Sequence, residues 1–306
     1  MKIAVIGVGG VGGYFGGKLA QAGNDVTFVA RGTHGMALME NGLEVRSIQG
    51  DFKVPSVKVV NQITELSSPD LVILAVKSWQ VKEVGDQINE ILHQDSMVLP
   101  LQNGVLAIEE LSVKINKHHL ISGLCRIISK VEGPGVISHF GAVPSIVIGE
   151  MDHRESYRVQ AIQKHFLDAE VDLKVSENIE SELWKKFIMI CLSGLQAVTR
   201  TTLGELRNTP ETQAMMQSLL EEVYGLSQKI GIQIHSSYVE KTMTFIGTLP
   251  DETTFSLARD IWDNRPSEME YQNGTVVQLG ARYGYDTPIN QFIYSCLLPG
   301  ELKARK

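Results

Sequence analysis

The junction between Lys2-Ile3-Ala4-Val5-Ile6 and Gly7-Val8-Gly9-Gly10-Val11-Gly12 constrains the fold more than any other feature of the chain. A short apolar run rich in β-branched residues reads as a buried strand, and residues 14–22 read as an apolar helix. A lone G-x-G-x-x-G says little in a chain with 28 glycines. Placed between a strand and a helix, it is a phosphate cradle. The first glycine permits the tight turn, the second lets a pyrophosphate reach the backbone, and the third lets helix and strand pack closely. The helix N-terminus adds unpaired N–H groups and partial positive charge.

Further apolar runs at 26–30, 71–76, 97–100, 146–148 and 171–175 read as buried strands, with helical patterns at 81–92 and elsewhere between them. Strand–helix alternation implies parallel neighbours joined by crossovers. The fold class predicted is α/β: a Rossmann-like doubly wound sheet followed by an all-α domain. Gly133-Pro134-Gly135 and residues 141–144 mark turns, so this stretch reads as hairpins. After 176 the strand runs stop. Residues 177–199 read as one long helix, and 210–231 as another, whose Met215, Met216, Leu219, Leu220, Val223 and Leu226 form an apolar stripe. More helices are expected at 238–246, 256–263, 268–283 and 287–297. The domains expected are 1–176, a nucleotide domain, and 177–306, a helical catalytic domain. The 210–231 stripe is either internal core or a homodimer face, and the sequence leaves that open.

Charge narrows the function classes. Lys plus Arg total 28 against 35 Asp plus Glu, a net charge of −7, which opposes nucleic-acid binding. Cys125, Cys191 and Cys296 form neither a CxxC pair nor a disulfide framework and suit a reducing compartment. No run approaches a membrane span, so a cytoplasmic protein without membrane or nucleic-acid partners is expected. No metal is expected, since His118-His119 would point their adjacent side chains apart on the surface.

The run at 26–30 ends in Arg31, where NAD-binding folds carry a carboxylate for the ribose 2′-hydroxyl. An arginine there suits a 2′-phosphate, so NADPH/NADP is the expected cofactor. Lys77 follows the run at 71–76 and Asn103 follows the run at 97–100, at strand carboxyl ends where open α/β sheets bind ligands.

At this point the residues resemble a known family. The resemblance rests on residues 2–12 with Arg31, on Val76-Lys77-Ser78-Trp79-Gln80, on Leu101-Gln102-Asn103-Gly104-Val105 and on Pro134-Gly135-Val136-Ile137-Ser138-His139. It continues through Glu182-Leu183-Trp184-Lys185-Lys186-Phe187, residues 256–268 with Tyr271-Gln272-Asn273-Gly274, and Tyr283-Gly284 to Pro288. In this order and over nearly the whole chain, the sequence resembles the ketopantoate reductases. The resemblance implies hydride transfer from NADPH to the keto carbon of a small-molecule 2-oxo acid, in pantothenate biosynthesis, within a cleft between the two domains. It implies Lys186 as general acid, with Lys185 left on the surface. It also implies Lys77 and Asn103 as cofactor-side residues, Asn103 near substrate as well, Ser256 as a substrate-binding serine, and Glu268 as a carboxylate between substrate and ribose. The chemistry is consistent: hydride attack leaves negative charge on oxygen, which a cation with a transferable proton stabilises.

One part of the pattern breaks. Family members that make pantoate carry asparagines four and eight residues after the lysine. Here those positions are Ile190 and Gly194, which on an unbroken helix share a face with Lys186. Neither offers a side-chain donor, so a roomier, more apolar substrate pocket is expected there. Arg126 is a further candidate for a substrate carboxylate, with a surface role as the plainer reading. Three activities compete: ketopantoate reduction, NADPH-dependent reduction of another, more apolar 2-oxo acid, and non-catalytic NADP(H) sensing. Because Asn103 reads as part of the nucleotide half and Lys186, Ser256 and Glu268 as part of the other, closure about residues 176–179 is expected.

Overall fold

The computed structural model describes all of Met1–Lys306. Two compact units form, one from Met1–Gln102 with Leu106–Ile179, the other from Asn103–Val105 with Glu180–Lys306.

In the first unit the chain runs β1 (Lys2–Ile6), α1 (Gly10–Gln21), β2 (Asp25–Val29), α2 (Gly32–Asn41), β3 (Leu43–Ser47), β4 (Phe52–Val54), β5 (Lys58–Val60), β6 (Leu71–Leu74), α3 (Val81–Ile91) and β7 (Met97–Pro100). Five of these strands make a sheet of order β5-β2-β1-β6-β7, and every pairing in it is parallel. Period-two alternation covers both of its faces. Ile3, Val5, Leu71, Ile73 and Leu99 join one cluster with Phe15, Leu19 and Phe28. Ala4, Ile6, Val72, Leu74 and Val98 join another with Val81 and Ile88 of α3. Buried on both sides, these strands must be apolar throughout.

After α4 (Ala107–Leu111) come β8 (Ser122–Arg126), β9 (Ser129–Gly133), β10 (Val136–His139), β11 (Ser145–Gly149), α5 (Tyr157–Asp168) and β12 (Asp172–Val175). They build two smaller sheets, β4-β3-β10-β9 and β12-β11-β8. The hairpin expected around Gly133-Pro134-Gly135 is β9–β10, yet β10 also pairs in parallel with β3. β11 and β12 are parallel across α5, so a further βαβ unit follows the hairpin. The run at 71–76 is strand only to Leu74; Ala75 and Val76 instead lie against the Gly7 backbone.

The second unit is helical: α6 (Ile179–Ile190), α7 (Leu192–Thr199), α8 (Leu203–Asn208), α9 (Pro210–Ile230), α10 (Tyr238–Thr248), α11 (Ser256–Trp262), α12 (Asn273–Tyr283) and α13 (Pro288–Ala304). Proline at its first turn and left-handed Gly231 at its end bound α9. Most of its stripe is core: Met216, Leu219, Leu220, Val223 and Leu226 are fully buried, whereas Met215 is only half-buried. Two expected helices are interrupted. The one at 177–199 breaks at Cys191, whose carbonyl accepts a hydrogen bond from the Asn273 side-chain amide at 3.0 Å. The one at 268–283 divides into a 3₁₀ turn, Met269–Tyr271, and α12, with Gln272 in neither. No helix is long and apolar enough to cross a membrane.

Candidate active site

The cradle has the geometry its spacing demands. Gly7 sits at φ +94°, and a Cβ there would lie 2.7 Å from the Ala75 carbonyl carbon. A Cβ on Gly12 would lie 2.1 Å from the Gly7 oxygen, so helix α1 crosses β1 at a distance only glycine allows. Gly9 differs: nothing lies within 4 Å of its Cβ direction. Gly9 is also the N-cap of α1, without a side-chain cap, and the first turn of α1 carries no acid. Open space at an uncapped, positive helix end fits a dinucleotide pyrophosphate. Ser129, at the start of β9, closes the opposite side of Gly10 with its backbone.

Arg31 caps α2 immediately after β2 and is exposed. Its Nε donates to the Asn61 carbonyl at 3.0 Å, which leaves the other guanidinium nitrogens to reach an anion. With Asn61, Gln62, Thr64 and Gln87 it lines an open hollow of about 580 Å³. Sequence reasoning missed those four residues because β5 and the turn after it carry no strong pattern. His34, next along α2, accepts a hydrogen bond from Gly135 N–H on Nδ1 at 3.1 Å. Burial pushes its pKa down, so the ring is held neutral. Lys77 is exposed after β6, its Nζ 5.8 Å from the centre of the Trp79 ring.

Asn103 does not belong with the sheet whose last strand precedes it. Residues Asn103–Val105 are part of the helical unit. Left-handed Gly104 lies so close to the chain at 271 that a Cβ on it would be 2.8 Å from the Tyr271 oxygen. Asn103 Nδ2 donates to Glu268 Oε2 at 3.2 Å. Glu268 is buried, at the N-cap of the 3₁₀ turn. Lys186 is half-buried on α6, one turn before the half-buried Ile190, and the neighbouring rings of Trp184 and Phe187 pack edge to face with centroids 5.4 Å apart. Lys185 is also half-buried rather than fully on the surface, paired with Glu182 at 2.7 Å. Ser256 is exposed at the start of α11, and Arg126 is exposed at the end of β8.

The expectation of a pocket opened by Ile190 and Gly194 is corrected at the second position. Cys191 separates α6 from α7 while itself keeping right-handed helical backbone angles, and Gly194 lies in the first turn of α7. It is buried, and a Cβ there would meet Asn273 Oδ1 at 2.2 Å and Ile293 Cγ2 at 2.7 Å. Asn273 has thus taken the space a side chain at 194 would need. Ile190 is half-buried and keeps its place one turn after Lys186. The histidine pair is corrected too: the His118 and His119 rings lie side by side, tilted 43° with centroids 3.7 Å apart, and His119 is buried with Nδ1 2.8 Å from the Ser96 carbonyl. No group of three or more His, Cys, Asp and Glu side chains is arranged to hold a metal.

Known proteins match over both units. The family described as "Ketopantoate reductase PanE/ApbA" matches residues 3–153, and its C-terminal partner, "Ketopantoate reductase PanE/ApbA C terminal", matches 178–301. An "Uncharacterized oxidoreductase YkpB" of Bacillus subtilis is 28% identical over 97% of this chain and 98% of its own. A 2-dehydropantoate 2-reductase of Nostoc is 29% identical over 96% of this chain and 93% of its own. Among solved structures, a PanE/ApbA family ketopantoate reductase from Ralstonia eutropha superposes with a TM-score of 0.91 over 100% of both chains, at 27% identity. With the cradle, the parallel sheet and the helical second unit, these matches place the chain in the ketopantoate reductase family of NADP-dependent oxidoreductases acting on CH–OH groups.

Proposed function

We propose that this protein reduces 2-dehydropantoate to pantoate with NADPH. The observation that carries the reading is the buried Glu268 held by Asn103, in a chain that also keeps the glycine cradle, Arg31 and Lys186. The cradle N–H groups would hold the pyrophosphate and Arg31 the 2′-phosphate, with Lys77 beside the cofactor. The bound nicotinamide supplies a hydride to the keto carbon. Lys186 is assigned the proton that the carbonyl oxygen takes up, and its charge stabilises that oxygen as it becomes negative. Asn103 orients Glu268 towards a substrate or ribose hydroxyl, and Ser256 is assigned to substrate binding.

A second reading follows from Ile190, which stands where pantoate-making relatives have an asparagine: the substrate is a 2-oxo acid with an apolar side chain in place of the hydroxyl-bearing one. A pocket without a hydrogen-bonding group rejects the apolar analogue weakly, whereas an asparagine would discriminate strongly. Initial rates of NADPH oxidation against ketopantoate and a series of branched and aromatic 2-oxo acids decide between them. Ketopantoate with the highest kcat/KM supports the first reading; a bulkier apolar acid with the highest supports the second. No oxidation with any of them, alongside tight NADPH binding, contradicts both.

A further inference from the structure

The segment carrying Glu268 is pinned from one side by one helix. Ser267, fully buried, gives its backbone N–H to Glu301 at 3.0 and 3.2 Å and its hydroxyl to Glu301 Oε2 at 2.6 Å. Its carbonyl accepts from Arg305 Nη2 at 2.8 Å, and Arg305 Nε pairs with Glu301 at 2.7 Å. Every polar group of Ser267 is therefore engaged by the last turn of α13, apart from the hydroxyl lone pairs, one of which receives Met269 N–H at 3.3 Å. Two residues past Glu268, the Glu270 carboxylate accepts from Tyr294 at 2.7 Å and from Gln278. Asn273 donates to Asn290 at 2.8 Å. Asn290, Tyr294, Glu301 and Arg305 recur at intervals that return to one face of α13. That face is itself anchored, since the buried Glu222 of α9 accepts from Ile289 N–H, Asn290 N–H and Asn290 Nδ2 at 2.9, 3.0 and 2.7 Å.

A buried carboxylate such as Glu301 is costly unless every lone pair is used. Here it is used almost entirely on the residue next to Glu268. Covering an ordinary loop would need no buried charge. We propose that Glu301, with Arg305, is a positioning residue for Glu268: it fixes the backbone at 267 so that the Glu268 carboxylate stays on Asn103 and aimed at the ligand. The C-terminal helix thereby sets the geometry of a site built from distant parts of the chain. The assignment rests on the role of Glu268 proposed above.

The test is a double-substitution cycle read together with amide hydrogen exchange on the full chain. Glu301→Gln keeps the shape but presents a donor to the Ser267 N–H or to Arg305. It is expected to lower kcat/KM for the best 2-oxo acid by ~10-fold or more. In the Glu268→Gln background the same change should add nothing, because the two act through one group. Exchange should quicken at residues 267–272 and stay unchanged in α9. Losses that simply multiply, or unchanged exchange at 267–272, overturn the proposal. Should Glu301→Gln fail to fold, Arg305→Gln takes its place: a smaller loss in the same direction, also absent in the Glu268→Gln background, is expected, and a multiplying loss overturns it. Should the wild-type protein reduce no 2-oxo acid, the proposed function fails on its own account, and the exchange arm alone decides the positioning claim.

Discussion

Asn103 and Glu268 are 165 residues apart in sequence and joined by a hydrogen bond of 3.2 Å. The bond ties the residue just beyond a strand of the parallel sheet to the one buried carboxylate of the 267–273 segment. Asn103 is thereby a member of the helical unit in space while following the sheet in sequence.

The cradle makes a folding and a binding prediction that separate. Gly9→Ala has open space for its methyl group, so its Tm should stay close to wild type. The methyl would stand where the pyrophosphate must approach, so the NADPH Kd should rise at least ~10-fold. Gly12→Ala, with its Cβ 2.1 Å from the Gly7 oxygen, should lower Tm sharply. Calorimetry with and without NADPH measures both.

Arg31 should set the choice of cofactor. Its Nε is already held by Asn61, so Arg31→Ala removes a pre-oriented cation rather than a mobile one. Loss of a charge-assisted contact of about 1.5–3 kcal/mol predicts roughly 10- to 100-fold weaker NADPH binding, with NADH binding little changed. Equal losses for both dinucleotides would place the 2′-phosphate elsewhere.

Restoring the two asparagines should give opposite outcomes. Ile190→Asn stays on the half-buried Lys186 face and should fold, shifting kcat/KM towards hydroxyl-bearing 2-oxo acids. Gly194→Asn must displace Asn273 and Ile293, and should cost about 1–3 kcal/mol of stability without any gain in ketopantoate turnover. Urea unfolding beside the kinetic panel checks the pair.

Acid should weaken the first unit through buried His119 and half-buried His34. Burial lowers the pKa of both His34 and His119, so each stays neutral when folded at a pH where the unfolded chain, at about 6.5, begins to take up protons. Above about pH 6.5 neither state binds these protons and their effect is absent; as pH falls below it, the unfolded state binds more and stability drops. The loss levels off once the folded pKa values are passed. Tm measured from neutral to mildly acidic pH should fall, and the slope should be shallower in His119→Gln. An unchanged slope would assign the acid sensitivity to other groups.

What was legible in the sequence was local. Residues 7–12 encode a turn between an adjacent strand and helix, and they fold as their spacing demands, with Ala75 and Ser129 packed against them from elsewhere in the chain. The continuous apolar runs of β1, β6 and β7 announce strands covered on both faces. The errors arose where a distant residue decides. Helical periodicity places Gly194 two turns past Lys186, but distant Asn273 decides that no side chain fits there, its Oδ1 lying 2.2 Å from where a Cβ would stand. Equally, nothing near Glu268 in sequence signals that Glu301 and Arg305 hold its neighbour. Asn103 reads as part of the sheet because it follows β7, yet it bonds Glu268 and its neighbour, left-handed Gly104, lies against Tyr271.

The most direct test compares NADPH oxidation by the native protein and by Lys186→Ala, with ketopantoate and the more apolar 2-oxo acids as substrates. The account predicts turnover that falls by about 10²-fold or more in the variant, with NADPH affinity retained, because the group proposed as general acid is lost while the cradle is untouched. Turnover that survives the substitution, or an NADPH-binding native protein that reduces none of these acids, would contradict it.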